Sequence, residues 1–261
     1  MSNLSLAVRD SSTMLRRNLL HARRYPSLTL NLLLTPVMLL LLFVYVFGDA
    51  MSAGIGGGDR SDYVAYLVPG LLLMTIGSTT IGTAVSVSND MTEGIIARFR
   101  TMAIHRGSVL VGHVIGSVVQ SVMSVVLVGA VGVAIGFRSS DATVLEWLAA
   151  FGLVVLFTLA MTWIAVGMGL VSPNAEAASN NALPLIFLPL ISSTFVPIDA
   201  MPGWFQPIAE YQPFTPAIET LRGLLLGTGI GHNGWLALGW CLALTVLGHV
   251  WSTSKFNSDP K

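Results

Sequence analysis

The stretch VAYLVPGLLLMTIGSTTIGTAVSVS, residues 64–88, runs for 25 residues without a charged side chain. A helix that crosses the hydrocarbon core of a bilayer needs about 20 mostly apolar residues. A charged stretch, NDMTEGIIARFRTMAIHRGS at 89–108, follows directly, and a second uncharged run begins at residue 109. Long apolar runs joined by a short charged connection predict a membrane protein built from helices.

The composition of the whole chain agrees with this prediction. Of the 261 residues, 53% are hydrophobic and 10% are charged, whereas soluble domains carry about 25% charged residues. The formal net charge is zero, so charge balance gives no indication of a nucleic-acid partner. The only cysteine, Cys241, excludes a disulfide framework and a thiolate metal site, and it is expected to pack between helices.

Six apolar runs are long enough, or nearly long enough, to cross a bilayer. They lie at about 28–47, 64–88, 109–136, 145–171, 179–197 and 234–252. The fifth run is short and contains Pro184 and Pro189, so we expect a kinked or tilted helix there. The sequence therefore predicts one all-α membrane domain, residues 1–261, with six transmembrane helices.

The distribution of Lys and Arg predicts the orientation of these spans. With an even number of spans both termini lie on one side, which would carry ten basic residues, whereas the other side would carry three: Arg60, Arg138 and Arg222. Cytoplasmic loops are enriched in Lys and Arg. Both termini are therefore predicted to be cytoplasmic, and Trp147, Trp204 and Trp235 would lie at the outer interface.

Two amphipathic helices are predicted on the cytoplasmic side. Residues 10–25 place apolar and basic side chains on opposite faces, as in a helix that lies on the membrane surface, although a plain basic flank is the alternative. Asp90 and Glu93 have the spacing of a capping box, which predicts a helix over 91–105. Its apolar face suits a groove on another protein, and a solvated loop that only sets topology is the alternative.

Two stretches resemble a known family. They are SNDMTEGIIARFRTMAIHRGSVLVGHVIGSVV at 88–119 and FLPLISSTFVPIDAMPGWFQPIAEYQPFTPAIETLRGLLLG at 187–227. Both are similar to ATP-binding-cassette permeases of the type-2 export class, and most of all to membrane subunits of the daunorubicin-resistance type. Nodulation-factor and polysaccharide exporters are similar too. Together with the six spans and the N-terminal helix, the resemblance covers nearly the whole chain.

The resemblance implies roles for particular residues. The 91–105 helix would couple the chain to an ATPase subunit through Glu93, Gly94, Ile95, Ile96, Arg98, Phe99, Arg100 and Met102. Spans two and five would meet at a dimer interface, where a substrate path would be lined by Thr79, Thr80, Thr83, Ser192, Ser193 and Thr194. Close helix packing is the alternative role for such small residues. The proline-rich segment 198–227 would re-enter the membrane from outside, with an outer gate at Trp204, Phe205 and Phe214.

The absence of certain motifs narrows the function. A phosphate-binding loop of the Walker type requires a lysine, but the only lysines are Lys255 and Lys261, at the C-terminus. We therefore expect no enzymatic activity on this chain, and we expect ATP and Mg²⁺ to bind a partner subunit. Ion-coupled transporters place charged residues within the membrane, whereas the six predicted hydrophobic cores contain no Asp, Glu, Lys or Arg.

These arguments predict the permease subunit of an ATP-driven exporter in the plasma membrane, as in bacteria. Its partners would be an ATPase subunit, a second identical or different membrane subunit, and the lipid bilayer. The uncharged path suits an amphiphilic cargo, such as an antibiotic, another drug-like compound or a lipid-linked molecule. A self-contained secondary transporter and a membrane anchor or assembly subunit are the alternatives.

Overall fold

The computed structural model describes residues 26–48, 60–92, 106–139 and 141–257. These parts of the chain are helical and contain no β-strand. The predicted interfacial helix at 10–25 lies outside the described residues. So do positions 93–105, and with them every residue of the predicted coupling site from Glu93 to Met102.

Nine α-helices and one short 3-10 helix make up the described parts. The α-helices are α1 (Pro26–Tyr45), α2 (Arg60–Thr92), α3 (Arg106–Ala134), α4 (Val144–Val171), α5 (Ala175–Ala182), α6 (Pro184–Leu190), α7 (Gln206–Tyr211), α8 (Phe214–Leu226) and α9 (Asn233–Asn257). The 3-10 helix covers Ile198–Ala200, between α6 and α7.

Four of the described helices are long and apolar enough to cross a membrane: α2, α3 from Leu110 onward, α4 and α9. They coincide with the second, third, fourth and sixth predicted spans. Helix α1 coincides with the first predicted span, and Leu34–Tyr45 is its apolar portion among the residues searched. The all-α, multi-pass prediction is thus confirmed with four candidate spans.

The fifth predicted span is divided between two short helices and a turn. Helix α5 is preceded by the N-cap residue Asn174, whose side chain accepts a hydrogen bond from the Ala177 amide, and the helix ends at Ala182. Helix α6 starts at Pro184, a position where a missing amide hydrogen costs little. After Leu190 the chain turns without regular helix as far as residue 196. The proline-rich composition thus divides this segment instead of merely kinking it.

Helix α2 is the central element of the bundle. It contacts α1, α3, α4, α5, α6 and α8, and most of its side chains are buried. Close approach is possible at two of its glycines. A Cβ atom at Gly70 would lie 2.8 Å from the Thr194 Cα, and one at Gly77 would collide with the Leu185 carbonyl oxygen. Small residues on α2 therefore let the backbone around α6 pack directly against it.

The α3–α4 connection and the end of α8 also have clear local causes. Thr143 and Glu146 form a capping box at the start of α4: the Thr143 amide donates to Glu146 Oε2 at 2.7 Å, and the Glu146 amide donates to Thr143 Oγ1 at 3.3 Å. Helix α8 ends at Leu226, and the C-cap residue Gly227 has φ +68°, the left-handed conformation that glycine tolerates.

Candidate functional site

Arg222 is the centre of the polar contacts that join α8 to α2. Arg222 is only 8% exposed to solvent. The Nε and Nη2 atoms donate to the Tyr66 carbonyl oxygen at 3.1 and 3.0 Å, and Nη2 also donates to the Ser193 carbonyl oxygen at 2.9 Å. One guanidinium therefore bridges three segments of the chain: α8, α2 and the turn after α6.

Two neighbouring side chains complete the environment of this arginine. Its Nη1 donates to Glu219 Oε1 at 2.5 Å, an i,i+3 pair along α8. The guanidinium carbon lies 3.8 Å from the centroid of the Tyr66 ring, within the range of a cation–π contact. The Tyr66 hydroxyl in turn donates to the Ser193 carbonyl oxygen at 2.9 Å. We call Tyr66, Ser193, Glu219 and Arg222 the arginine cluster.

The turn that carries Ser192, Ser193 and Thr194 is buried against α2. The Ser192 hydroxyl donates to the Pro189 carbonyl oxygen at 2.5 Å and lies 2.8 Å from the Thr194 hydroxyl. Among the residues that the structure describes, the Ser193 hydroxyl has no hydrogen-bond partner although it is buried. A buried hydroxyl without a partner is energetically costly, so this oxygen is a candidate contact for a bound molecule.

The other three predicted path residues lie along α2 and are also buried. Thr79 shares a 2.7 Å hydrogen bond with Ser121 of α3, and Thr80 donates to carbonyl oxygens of its own helix. Thr83 is 5% exposed. Gly70, beside Thr194, and Thr79 are nine positions apart on α2, which is roughly 13 Å along the axis. The structure therefore brings the predicted residues into one α2-centred core, at two different depths.

The three predicted gate residues occupy two separate places. The Trp204 and Phe205 rings contact each other edge-on at 5.4 Å, and Trp204 is 76% exposed. Phe214, by contrast, is fully buried and packs edge-on against Phe157, with ring centroids 4.9 Å apart. Because Phe157 lies near the middle of α4, helix α8 starts deep in the bundle and runs toward the α3–α4 connection.

Side chains bind several backbone groups around α7. Gln212 Nε2 donates to the Leu188 carbonyl oxygen at 3.3 Å, and Gln212 Oε1 accepts from the Phe214 amide at 3.0 Å. The Thr215 hydroxyl donates to the Ala209 carbonyl oxygen at 2.5 Å. Trp240 of α9 donates to the Tyr211 carbonyl oxygen at 2.9 Å. These contacts satisfy backbone groups of the irregular chain around α7.

At the opposite end of α2, Asp90 faces His113 of α3. The Asp90 Oδ2 and His113 Nε2 atoms lie 2.9 Å apart and form an ion pair when the histidine is protonated. The angle between the two groups is not that of a hydrogen bond. Asp90 lies inside the last turns of α2, which continues to Thr92. The prediction that Asp90 caps a new helix is therefore wrong, because α2 extends past it and its side chain is directed toward α3.

Sequence reasoning missed the arginine cluster because it counted Arg222 only among the basic residues of the outer side, within the predicted re-entrant segment. The Glu219–Arg222 spacing within an apolar helical pattern was the available signal, since an i,i+3 pair can carry an arginine into a packed interface. The sequence around Gln212 gave no comparable indication that its side chain would bond to backbone groups. Among the described residues, no group of three or more His, Cys, Asp or Glu side chains is placed to hold a metal ion.

Comparison with known proteins places this architecture in a family. The profile of the ABC-2 type transporter family matches residues 10–226. The chain is 28% identical to the daunorubicin resistance ABC transporter permease protein DrrB1 of Streptomyces coeruleorubidus over 85% of this chain and 77% of that protein. It is 23% identical to the probable doxorubicin resistance ABC transporter permease protein DrrC of Mycobacterium tuberculosis over 59% and 57% of the two chains. It is also 22% identical to nodulation protein J of Rhizobium meliloti over 74% of each chain. The family match covers most of the sequence, and the chain therefore belongs to the ABC-2 type transporter family.

Proposed function

We propose that this chain is the membrane-spanning permease subunit of an ATP-driven exporter that moves an amphiphilic compound out of the cell. The family match over residues 10–226 carries the proposal. Two of the similar proteins are named as daunorubicin or doxorubicin resistance permeases, which supports a drug-like or antibiotic cargo. A lipid-linked molecule is chemically similar in having an apolar body and a polar end.

ATP hydrolysis belongs to a partner subunit in this proposal. That partner binds ATP and Mg²⁺, and it contacts the segment 91–105, where Ile95, Ile96, Phe99 and Met102 present apolar surface. Burial of a phenylalanine contributes about 1.5–3 kcal/mol, whereas an exposed ion pair contributes about 0–1 kcal/mol. The apolar residues therefore provide most of the affinity, and Arg98 and Arg100 set the orientation.

The membrane arrangement in this proposal has six spans with both termini in the cytoplasm. Helices α5 and α6 together form the fifth span, and the segment 198–227 re-enters the membrane from outside. The contact of Phe214 with Phe157, near the middle of α4, supports the re-entrant arrangement. Irregular backbone at such depth must be buried in protein, and the Gln212 and Thr215 hydrogen bonds meet that requirement.

The substrate path opens, in this proposal, where the turn at 192–194 separates from α2. In the present arrangement the hydroxyls of Thr79, Thr80 and Ser192 are bonded within the chain, which supports a closed state of the path. The arginine cluster holds the turn against α2 and thereby stabilises the closed state. Movement of the coupling segment after ATP binding changes the α2 contacts, and a second membrane subunit supplies the other wall of the path.

Reconstituted vesicles provide the test of this function. The chain and its ATPase subunit are reconstituted together, and ATP-dependent transport of daunorubicin is measured. Transport should require the ATPase chain and should be abolished by Phe99→Asp, which also loses copurification with the ATPase. Arg98→Ala is the matched change on the same segment and should weaken coupling only mildly.

Two results would contradict the proposal. Transport without the ATPase chain would indicate a self-contained secondary transporter. Normal copurification and ATP-dependent transport by Phe99→Asp would show that the 91–105 segment serves only as a topology signal.

A further inference from the structure

An apolar groove lies on the side of the bundle formed by α3 and α4. Its volume is about 310 Å³, at the lower end of the range of about 300–1,000 Å³ typical of ligand pockets. The floor is formed by buried residues of α2 and α8, including Val68, Leu72 and Leu221. The rim carries exposed side chains of α3 and α4, including Val126 and Phe151.

The groove opens between two helices that are long and apolar enough to cross the membrane. Its open side therefore faces lipid rather than water. Along α3 the lining extends from Val122 to Val133, which is roughly 16 Å at the rise of an α-helix. One leaflet contributes about half of the 30 Å hydrocarbon core of a bilayer. The groove thus matches the depth of a single leaflet, the one next to the α3–α4 connection.

A cationic side chain lies at the interfacial end of this groove. Arg138 is exposed, and its Nη1 atom donates to the carbonyl oxygens of Val133 and Phe137 at 2.7 and 2.9 Å. Both of these residues line the groove. Trp147, 45% exposed, stands on the rim near the start of α4. A guanidinium and an indole at one end of an apolar groove match the charge and polarity of a phospholipid head region.

We propose that this groove binds one glycerophospholipid, with an acyl chain between α3 and α4 and the phosphate at Arg138. The groove is as long as one leaflet is thick. This length supports an acyl chain, since a compact compound would not need a groove of that depth. The charge supports a phosphate. This site is separate from the α2-centred core of the predicted substrate path, and the inference holds whether or not the chain exports drugs.

The groove also contacts the element that carries the arginine cluster. Leu221 and Leu225 of α8 form part of its floor, and Leu221 is the neighbour of Arg222. A lipid tail in the groove therefore packs against the outer half of α8. Displacement of α8 would change the shape of the lipid site, and occupancy of the site would favour the observed position of α8.

The test measures lipid retention by native mass spectrometry. The full chain is delipidated by detergent exchange and incubated with dioleoylphosphatidylglycerol. The wild type should retain one phospholipid per chain. In Gly129→Leu the new side chain enters the groove, since a Cβ there has room at 3.6 Å from Leu72 Cδ2. Retention should fall by about tenfold or more. Gly152→Leu is the matched control on α4, where a Cβ meets no atom within 4 Å, and it should bind like the wild type.

A second variant separates the head-group contact from the tail contact. Arg138→Gln should lower retention of dioleoylphosphatidylglycerol by about tenfold, the effect of one hydrogen bond to a charged group. It should leave retention of dioleoylglycerol, which has no phosphate, unchanged. If Gly129→Leu does not fold, Val126→Trp fills the groove from its exposed rim instead.

Three outcomes would overturn the proposal. The first is equal retention by Gly129→Leu and Gly152→Leu. The second is an Arg138→Gln effect of the same size on both lipids. The third is displacement of the phospholipid by stoichiometric daunorubicin, which would identify the groove as a cargo site. Loss of ATP-dependent transport with normal lipid retention would bear on the proposed function alone.

Discussion

Replacement of Arg222 by methionine should destabilise the chain by about 3 kcal/mol. Methionine keeps much of the length and apolar contact of the side chain but removes the guanidinium donors to the Tyr66 and Ser193 carbonyl oxygens. Loss of one partner from a buried charged cluster costs about 3–5 kcal/mol. The lower end applies because the Glu219 side chain is 30% exposed and Ser193 keeps the bond from the Tyr66 hydroxyl. For a chain of this size the unfolding temperature should fall by about 6–12 °C.

The chain contains its own reporter for this measurement. Cys241 is the only cysteine and is fully buried, so a thiol-reactive fluorogenic dye labels it as the detergent-solubilised protein unfolds. Arg138→Met, compared in delipidated protein, is the matched control, because Arg138 is exposed and bonds to carbonyl oxygens of its own segment. Its effect should stay within about 0.5 kcal/mol. Glu219→Gln removes only the ion pair and should cost about 0–1 kcal/mol.

The relative size of these changes decides the interpretation. If Arg222→Met unfolds at the same temperature as Arg138→Met, the arginine cluster does not hold α8 and the 192–194 turn on α2. If Glu219→Gln costs as much as Arg222→Met, the ion pair rather than the bridge to two carbonyl oxygens is the stabilising contact. Arg222→Lys should recover only part of the loss, because an ammonium group lacks the planar set of donors that reaches both carbonyl oxygens.

Three further predictions use the same unfolding assay. Gly77→Ala should lower the unfolding temperature, because its Cβ would collide with the Leu185 carbonyl oxygen, whereas Gly152→Ala should not; equal effects would contradict the close packing of α2. Ser193→Ala removes a buried hydroxyl without a partner among the described residues, so stability should stay the same or rise; a fall in export without a fall in unfolding temperature would place this hydroxyl on the substrate path. A double-mutant cycle with Asp90→Ala and His113→Ala should give a coupling energy of about 0.5–3 kcal/mol, and additive effects would show that the pair does not stabilise the fold.

Most of the membrane helices were predictable because their apolar length is a strong constraint. Helices α2, α3, α4 and α9 agree with runs that lack charge over the thickness of a bilayer. The division of the fifth segment at Leu183 was harder to predict. A proline in an apolar run is compatible either with a kink in one helix or with two separate helices. Asp90 was misassigned for a similar reason. The spacing of a capping box also occurs where a helix continues, and only the packing of His113 against α2 resolves the two cases.

The divided fifth segment and the buried arginine have a common physical cause. Division of the segment after Leu190 leaves the Ser193 carbonyl oxygen without a helical partner, in a part of the bundle where water is excluded. A lone hydroxyl supplies one donor, whereas a guanidinium supplies five in a fixed plane. Arg222 reaches this oxygen and the Tyr66 carbonyl oxygen together. A count of basic residues by loop assigns every arginine to an aqueous face and so cannot place this one. The need to satisfy backbone groups at the break of the fifth segment explains why Arg222 is buried and why its loss should release the turn from α2.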